Sequence, residues 1–284
     1  MQLTIEGIEE ILTLVRAGGE RTLDLRGVRD ADPFGLLLLD LLIREQENQG
    51  DRLRILRPLD PATLRWMQAM GLFRRPDFGA PAPNVEQALQ PITPIADESA
   101  IMELVDRFDA RLAARYRLDR SPRYTLVRIM IELFQNIPQH ANATGLVADP
   151  HGIAAMQDYR DGIVLAIADL GVGMRTSLSL RDPDLATSDA AAIDAVVLRG
   201  ASRFTDPGRG EELMRIFRMV RSWDGTVAVR SGRALLRHDP SEGAEVYDVA
   251  PFPGVQIALV IPQRIFGVEG VDAEGEPGFN EPDE

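Results

Sequence analysis

The chain has 284 residues, with 44 acidic and 31 basic side chains and a formal net charge of −13. All of those basic residues are arginine and there is no cysteine, which excludes disulfides, thiolate metal sites, lysine Schiff bases and the phosphate-binding lysine of P-loops. The body has no basic stripe, and its longest apolar run, within residues 34–40, is far too short to span a membrane. We therefore expect a cytoplasmic protein that binds neither nucleic acid nor membrane.

Residues 1–75 alternate between helix-like and strand-like segments. The predicted elements are a helix around 8–15, a strand at 22–26, a helix at 33–47, a strand at 54–57 and a helix at 62–70. This alternation predicts a small α/β domain with helices packed on a sheet.

The next boundary is marked by proline. Residues 76–95 contain five prolines, which predicts a semi-rigid linker and a domain boundary. At the other end, residues 267–284 carry seven acids and no base, more than half of the net charge. We expect this acidic tail to be disordered.

Residues 96–266 form the second predicted domain. The expected elements are helices at 97–116, 122–141, 189–199 and 211–222, and strands at 151–159, 163–168, 225–231, 233–237 and 255–261. Asp161-Gly162 predicts a tight hairpin between the first two strands. Residues 175–188 are polar, and we expect them to be mobile.

Three short segments of this domain carry candidate chemistry. In the first, Glu132, Asn136 and His140 are spaced four residues apart on one face of a predicted helix. Such a stripe is often only a solvated face, but the rest of this helix is apolar, so we expect the stripe to face something within the fold.

In the second segment, an apolar strand ends in Asp169, followed by Gly171 and Gly173. Glycine lets the backbone turn sharply and approach a ligand, and an aspartate at a strand end can accept a hydrogen bond from an amine. In the third, Gly208 and Gly210 precede a helix whose N-terminal N–H groups would suit a phosphate. Taken singly, each of these segments is equally compatible with a plain turn or a capped loop.

Together, the order and spacing of the three segments resemble the nucleotide-binding boxes of the GHKL superfamily of ATPases. The resemblance covers about residues 97–265 and includes Trp223-Asp-Gly-Thr-Val and the final strand, Gly254-Val-Gln-Ile-Ala. It implies a Bergerat-fold α/β sandwich with a mixed sheet and an ATP lid at 175–207. The spacing and small size look most like the anti-sigma-factor kinases, which are bacterial regulators.

The resemblance implies a role for each matched residue. Asp169 would bind the adenine amine, and Gly171, Gly173 and Met174 would shape the adenine pocket. Asn136 would hold Mg²⁺ against the phosphates.

Glu132 would be the general base, polarising a water or a substrate hydroxyl. His140 would lie near the phosphates. The lid end would contact them through Arg203, Gly208, Arg209 and Gly210.

Residues 23–39 resemble the core of a STAS domain, the fold of anti-anti-sigma factors. In that family a phosphorylatable Ser or Thr precedes the glycine, whereas Pro33 and Phe34 stand there in this chain. The resemblance therefore implies docking or dimerisation for this domain. We expect a homodimer and a regulatory protein partner, such as a STAS or sigma-like protein.

The chain also departs from the GHKL pattern. Pro138 would kink the helix that carries the first segment, and Val255 stands where the family usually has an adenine-binding threonine. Glu211 and Glu212 would weaken triphosphate binding unless Mg²⁺ or an arginine offsets them. These departures bear on hydrolysis more than on nucleotide binding.

Two functions stay open on this basis. One is an ATP-binding regulatory protein with slow Mg-dependent ATPase or protein serine/threonine kinase activity. The other is a degenerate GHKL scaffold that only binds proteins. All three histidines lie within 96–266, which argues against a sensor histidine kinase with its own phosphoacceptor.

Overall fold

The structure is a computed structural model. It describes residues 2–18, 22–51, 53–72, 90–95, 97–117, 120–145, 147, 151–159, 162–204 and 210–268. The chain is a mixed α/β protein built around a five-stranded sheet. Within the described ranges, no helix is both long enough and apolar enough to cross a membrane.

The first part of the chain folds into the elements that its sequence predicts. They are α1 Ile8–Gly18, β1 Thr22–Asp24, α2 Pro33–Asn48, β2 Arg54–Leu56 and α3 Pro61–Ala69. Asp32 caps α2, since its carboxylate accepts the N–H of Gly35 at 2.8 Å and that of Ile5 at 2.8 Å. Pro33 follows the cap, where its missing N–H costs no helical hydrogen bond.

The second part adds the sheet and the remaining helices. These elements are β3 Gln90–Pro94, α4 Glu98–Arg115, β4 Tyr116–Arg117, α5 Arg120–Asn136, β5 Ile153–Tyr159, β6 Gly162–Ala168, α6 Gly173–Ser179, α7 Asp189–Ile193, α8 Glu212–Ser222, β7 Thr226–Asp239, β8 Gly243–Pro262 and β9 Gly267–Val268. The predicted hairpin is confirmed, because β5 pairs with β6 from Tyr159 opposite Gly162.

The sheet has the strand order β3-β5-β6-β8-β7, and all of its pairings are antiparallel. The expectation of a mixed sheet is therefore wrong for the described strands. The physical reason is that the chain forms two hairpins, β5–β6 and β7–β8, whose inner strands meet while running in opposite directions. A parallel pairing occurs apart from this sheet, between β1 and β2.

Both faces of the sheet are buried, and they differ in side-chain size. The front face carries large aliphatic side chains and packs with α4, α5 and α8. The back face carries alanines, and the leucine-rich α2 packs on it. The back-face alanines are Ala155, Ala166, Ala168, Ala228 and Ala258. Because alanine ends at Cβ, the backbone of α2 can come close to the strands.

The predicted linker separates the two parts along the chain but not in their packing. Residues 76–89 lie outside the described residues, whereas residues 90–94 form β3 at the sheet edge, contrary to the prediction of a linker over 76–95. The N–H of Ile92 donates to the carbonyl of Met70 at 2.7 Å. The residues of 1–75 and the back of the sheet thus share one hydrophobic core.

The polar segment 175–188, which we expected to be mobile, is instead folded. It contributes most of α6, a 3₁₀ turn at Pro183–Ala186 and the cap of α7. The guanidinium of Arg175 donates to the carbonyls of Ala186 and Thr187, at 3.1 Å each. One arginine therefore holds the two ends of this segment together.

A buried ion pair joins α1 to the back of the sheet. Arg230 on β7 is fully buried, and its Nε donates to Glu9 at 2.6 Å. Its remaining N–H groups reach the side chain of Gln256 and the carbonyl of Ala250. Since a buried charge needs a partner, this pair fixes how α1 lies on the strands.

We expect Glu9→Gln to lower the free energy of unfolding by about 3 kcal/mol, because it leaves the Arg230 charge buried without a carboxylate. Urea denaturation measures this change. Glu10→Gln is the matched control, since Glu10 is exposed on the same helix. Equal stability of the two variants would show that the pair contributes nothing to folding.

Candidate functional site

Two connected cavities lie between the front of the sheet and the segment that follows β6. The inner pocket has a volume of about 80 Å³, and the outer cleft has a volume of about 540 Å³. Apolar side chains from α5, β6, α6 and β8 line the inner pocket, among them Leu133, Ile167, Met174 and Ile257. The cavities share four bordering residues, Asn136, His140, Gly210 and Glu212.

Asp169 lies in the wall of the inner pocket, one residue beyond the end of β6. Its Oδ1 accepts the N–H of Gly171 at 2.7 Å and that of Val255 at 3.3 Å. Within the described part of the chain, its Oδ2 accepts no hydrogen bond. The residue is only 5% exposed, so Oδ2 can accept a hydrogen bond from a ligand that enters the apolar pocket.

This environment changes the acidity of the carboxyl. Burial raises the pKa of Asp169 from 3.8 to about 7, and the two backbone hydrogen bonds only partly oppose the rise. A buried group in a pocket whose pKa is shifted by desolvation is a typical sign of a functional site.

Two close backbone contacts explain the glycines around Asp169. A Cβ on Gly254 would lie 2.0 Å from the Asp169 carbonyl oxygen, and the φ of Gly254 is +77°. A Cβ on Gly171 would lie 2.4 Å from the carbonyl oxygen of Ala141. Gly254 thus lets β8 come up against the strand end, and Gly171 lets the turn after Asp169 meet the end of the α5 region.

Ser231 on β7 holds the start of α6 in place. Its Oγ accepts the N–H of Met174 at 2.9 Å and donates to the carbonyl of Gly254 at 3.1 Å. Gly173 and Met174 border the inner pocket at this point.

The helix that carries the first segment does not run straight through it. α5 ends at Asn136, and one wide π-helical turn follows from Ile137 to Ala141. Pro138 explains this change, because it has no N–H for the regular helical hydrogen bond. Asn136 and His140 both border the two cavities. The ring of His140 meets that of Phe204 edge-on, with centroids 5.0 Å apart.

Glu132 borders the outer cleft and not the inner pocket. Its carboxylate accepts a hydrogen bond from Arg128 at 3.0 Å. Across the cleft, Glu212 accepts the N–H of Gly210 and lies 3.8 Å from the guanidinium of Arg215. The outer cleft therefore carries both carboxylates and arginines at its border.

Arg203, which the sequence predicts near the phosphates, borders the inner pocket and not the outer cleft. Its guanidinium lies over the ring of Phe204, with Cζ 4.3 Å from the centroid, and donates to the carbonyl of Gln139. Its Nε is buried and has no hydrogen-bond partner in the part of the chain that the structure describes. Two other predicted site residues, Gly208 and Arg209, lie outside the described residues.

The structure adds Ser177 to the site, which sequence reasoning missed. Ser177 is 7% exposed, borders the inner pocket, and its Oγ lies 3.3 Å from His140 Nδ1. It follows Gly173 by one helical turn, so helical spacing could have revealed it. The polar composition of residues 175–188 predicts a mobile segment and so hides this spacing.

A magnesium ion fits this site only with a phosphate ligand. Among the described residues, no group of three or more His, Asp or Glu side chains could hold a metal ion. Asn136 offers a carboxamide oxygen where the cavities meet. Mg²⁺ commonly binds through one or two protein oxygens, substrate phosphates and water, so the donor set suits a Mg-phosphate complex better than a free ion.

Comparison with known proteins adds no relative. No protein-family model matches the chain, and no curated protein matches it.

We expect Asp169→Asn to stabilise the protein increasingly as the pH rises. Ionising a carboxyl whose pKa is raised from 3.8 to about 7 costs stability as the pH rises through that interval. One pKa unit corresponds to about 1.4 kcal/mol, so the gain of the variant over wild type should grow by a few kcal/mol between pH 4 and pH 7.

Urea denaturation of both proteins at several pH values measures this difference. Asp32, whose pKa burial raises to about 6, is present in both proteins and cancels. A difference that stays constant across the interval would contradict the raised pKa of Asp169.

Proposed function

We propose that this protein is an ATP-binding regulatory protein of the GHKL type. The observation that carries the proposal is the half-satisfied carboxylate of Asp169, whose free oxygen borders an apolar pocket that opens into a polar cleft. A flat heterocycle with an exocyclic amine suits such a pocket, since the amine donates to Oδ2 while the ring packs on aliphatic side chains.

The outer cleft supports the phosphate part of the proposal. Asn136 would help to hold Mg²⁺, and Arg203 and Arg215 can turn from their present partners toward phosphate oxygens. The ion between Asn136 and the phosphates would neutralise part of the triphosphate charge. The Nε of Arg203, which is buried and has no partner among the described residues, is consistent with a donor that lacks its acceptor.

The position of Glu132 supports slow phosphoryl transfer. Its carboxylate would act as general base, taking the proton of a water or of a protein hydroxyl that attacks the γ-phosphate. The ion pair with Arg128 orients this carboxylate at the cleft.

Two observations favour the second candidate, a scaffold that does not turn over nucleotide. Glu212 already accepts the Gly210 N–H, a group that would otherwise be available to a phosphate. Val255 supplies no hydroxyl to the pocket. Either function would serve a regulatory partner, and we propose that residues 1–75 take part in that contact or in a homodimer.

For nucleotide binding, we expect isothermal titration with Mg-ATP to show affinity for the wild type that falls about ten- to hundredfold in Asp169→Asn. The variant loses a charge-assisted hydrogen bond, worth about 1.5–3 kcal/mol. Asp106→Asn is the matched control, since Asp106 is exposed on α4. Equal affinity of wild type and Asp169→Asn, or no binding by either, would overturn the proposal.

The same titration with adenosine should depend on pH, because the amine selects ionised Asp169. With a pKa of about 7, we expect roughly tenfold tighter binding at pH 8 than at pH 6 in the wild type. The amide of Asp169→Asn does not titrate, so its affinity should stay flat.

For turnover, we expect phosphate release or transfer from γ-labelled ATP that falls at least about a hundredfold in Glu132→Gln. Nucleotide affinity should stay within a few-fold, since Glu132 does not border the inner pocket. Glu103→Gln, exposed on α4, is the control. Binding without any turnover in the wild type, with or without cell lysate, would instead support the scaffold.

A further inference from the structure

A second concave surface lies between the start of α5 and the end of α8. This α5–α8 groove has a volume of about 440 Å³. Pro122, Met219 and Trp223 give it an apolar lining, and Arg215 and Arg218 give it a basic one. It meets the outer cleft at Arg215, the one residue of its lining that the proposed function also assigns to phosphate.

The exposed face of α8 is strongly basic. Arg215, Arg218 and Arg221 are exposed at intervals of three residues, and the helix has no acid after Glu212. Like charges at this spacing repel, so the stripe costs helix stability unless an anion balances it. Within the described residues, Arg218 forms no ion pair or hydrogen bond.

The described chain ends close to this groove. Arg264, in the turn after β8, donates to the carbonyl of Trp223 at 2.6 Å. Four residues further on, Val268 of β9 pairs with Tyr116, a few residues before the start of α5. The last described residues are therefore held beside the end of α8 and the start of α5, which form the groove.

The sequence that follows has the complementary chemistry. Residues 269–284 contain seven acids, no base and one aromatic residue, Phe279. A random coil of this length spans about 20–24 Å on average, which is ample to reach a groove beside the point where the segment begins. The carboxylates of this segment are complementary in charge to the arginines of the groove, and its phenylalanine is complementary to the apolar part of the groove.

We propose that residues 269–284 bind in the α5–α8 groove of the same chain. Their carboxylates pair with Arg215 and Arg218, and Phe279 packs against Trp223 and Met219. The docking does not depend on nucleotide binding. Docking would also hold carboxylates beside the outer cleft at Arg215. The effect of these carboxylates on the site rests on the proposed function.

The absence of cysteine and the presence of only two tryptophans allow a direct test. Asn280→Cys takes a nitroxide label, and Trp66→Phe leaves Trp223 as the fluorophore. Tethering gives an effective concentration of about 1 mM, so a groove with a Kd near that value is half occupied. We then expect Trp223 fluorescence in the full chain to fall by roughly half relative to the unlabelled protein.

The quenching should disappear in Arg215→Glu/Arg218→Glu. It should also disappear at 1 M salt, where the screening length is about 3 Å. It should persist in Arg54→Glu/Arg65→Glu, which makes the same charge change at exposed arginines of the first part of the chain. Quenching no greater than that by free nitroxide, or unaffected by the α8 substitutions, would overturn the proposal. So would quenching that rises with protein concentration, which would assign the segment to a second copy.

Limited digestion with a glutamate-specific protease tests the same point without labels or a tryptophan substitution. We expect cleavage after Glu269 and Glu274, the glutamates of this segment that are followed by glycine and not by proline, to be several-fold slower in the wild type than in Arg215→Glu/Arg218→Glu. Equal cleavage rates in the two proteins would refute docking in this groove.

Discussion

The pairing of β6 with β8 is the contact on which the rest of the structure depends. These strands join the two hairpins of the sheet and stay in register from Gly162 opposite Pro262 to Ala168 opposite Gln256. The register continues past the strand end, where Asp169 N donates to the carbonyl of Val255 at 3.0 Å. A slip of one residue would turn the large side chains to the back face and remove Asp169 from its pocket.

The same register explains why the sheet can be covered on both sides. Alternation places Ile163, Leu165 and Ile167 on the front face with α5, and Ala166 and Ala168 on the back face with α2. The site therefore lies on a layer whose back face is covered by the first part of the chain. Through Arg230 and Glu9, any partner that moves α1 would act on β7, the strand that carries Ser231 and so holds Met174.

Local signals were enough to predict most elements, and they failed where contacts between distant residues decide the outcome. The proline at the start of α2, the apolar spacing in α4 and the Asp161-Gly162 signal for the β5–β6 hairpin are all visible within a few residues. By contrast, the antiparallel sheet and the use of residues 90–94 as an edge strand depend on pairing between strands that are far apart in the sequence.

In the site too, local sequence signals predicted some features, whereas contacts between distant residues could not be predicted. The motif pattern selected Asn136, His140, Asp169 and Gly173, and the structure brings them around two connected cavities. It could not reveal that Ser231 anchors the turn, because that contact joins residues 57 positions apart. Nor could it reveal that Glu212 occupies the Gly210 N–H, which is a matter of side-chain conformation.

The state of Asp169 links stability to binding. Keeping an ionised carboxylate in an apolar pocket costs free energy. The two backbone N–H groups that donate to Oδ1 offset only part of this cost. A ligand amine on Oδ2 would recover some of that cost, so a weak neutral donor could bind better here than its single hydrogen bond suggests. A pocket that served packing alone would be expected to hold an apolar side chain at this position. The retained cost is what favours a ligand-binding role over a purely structural one.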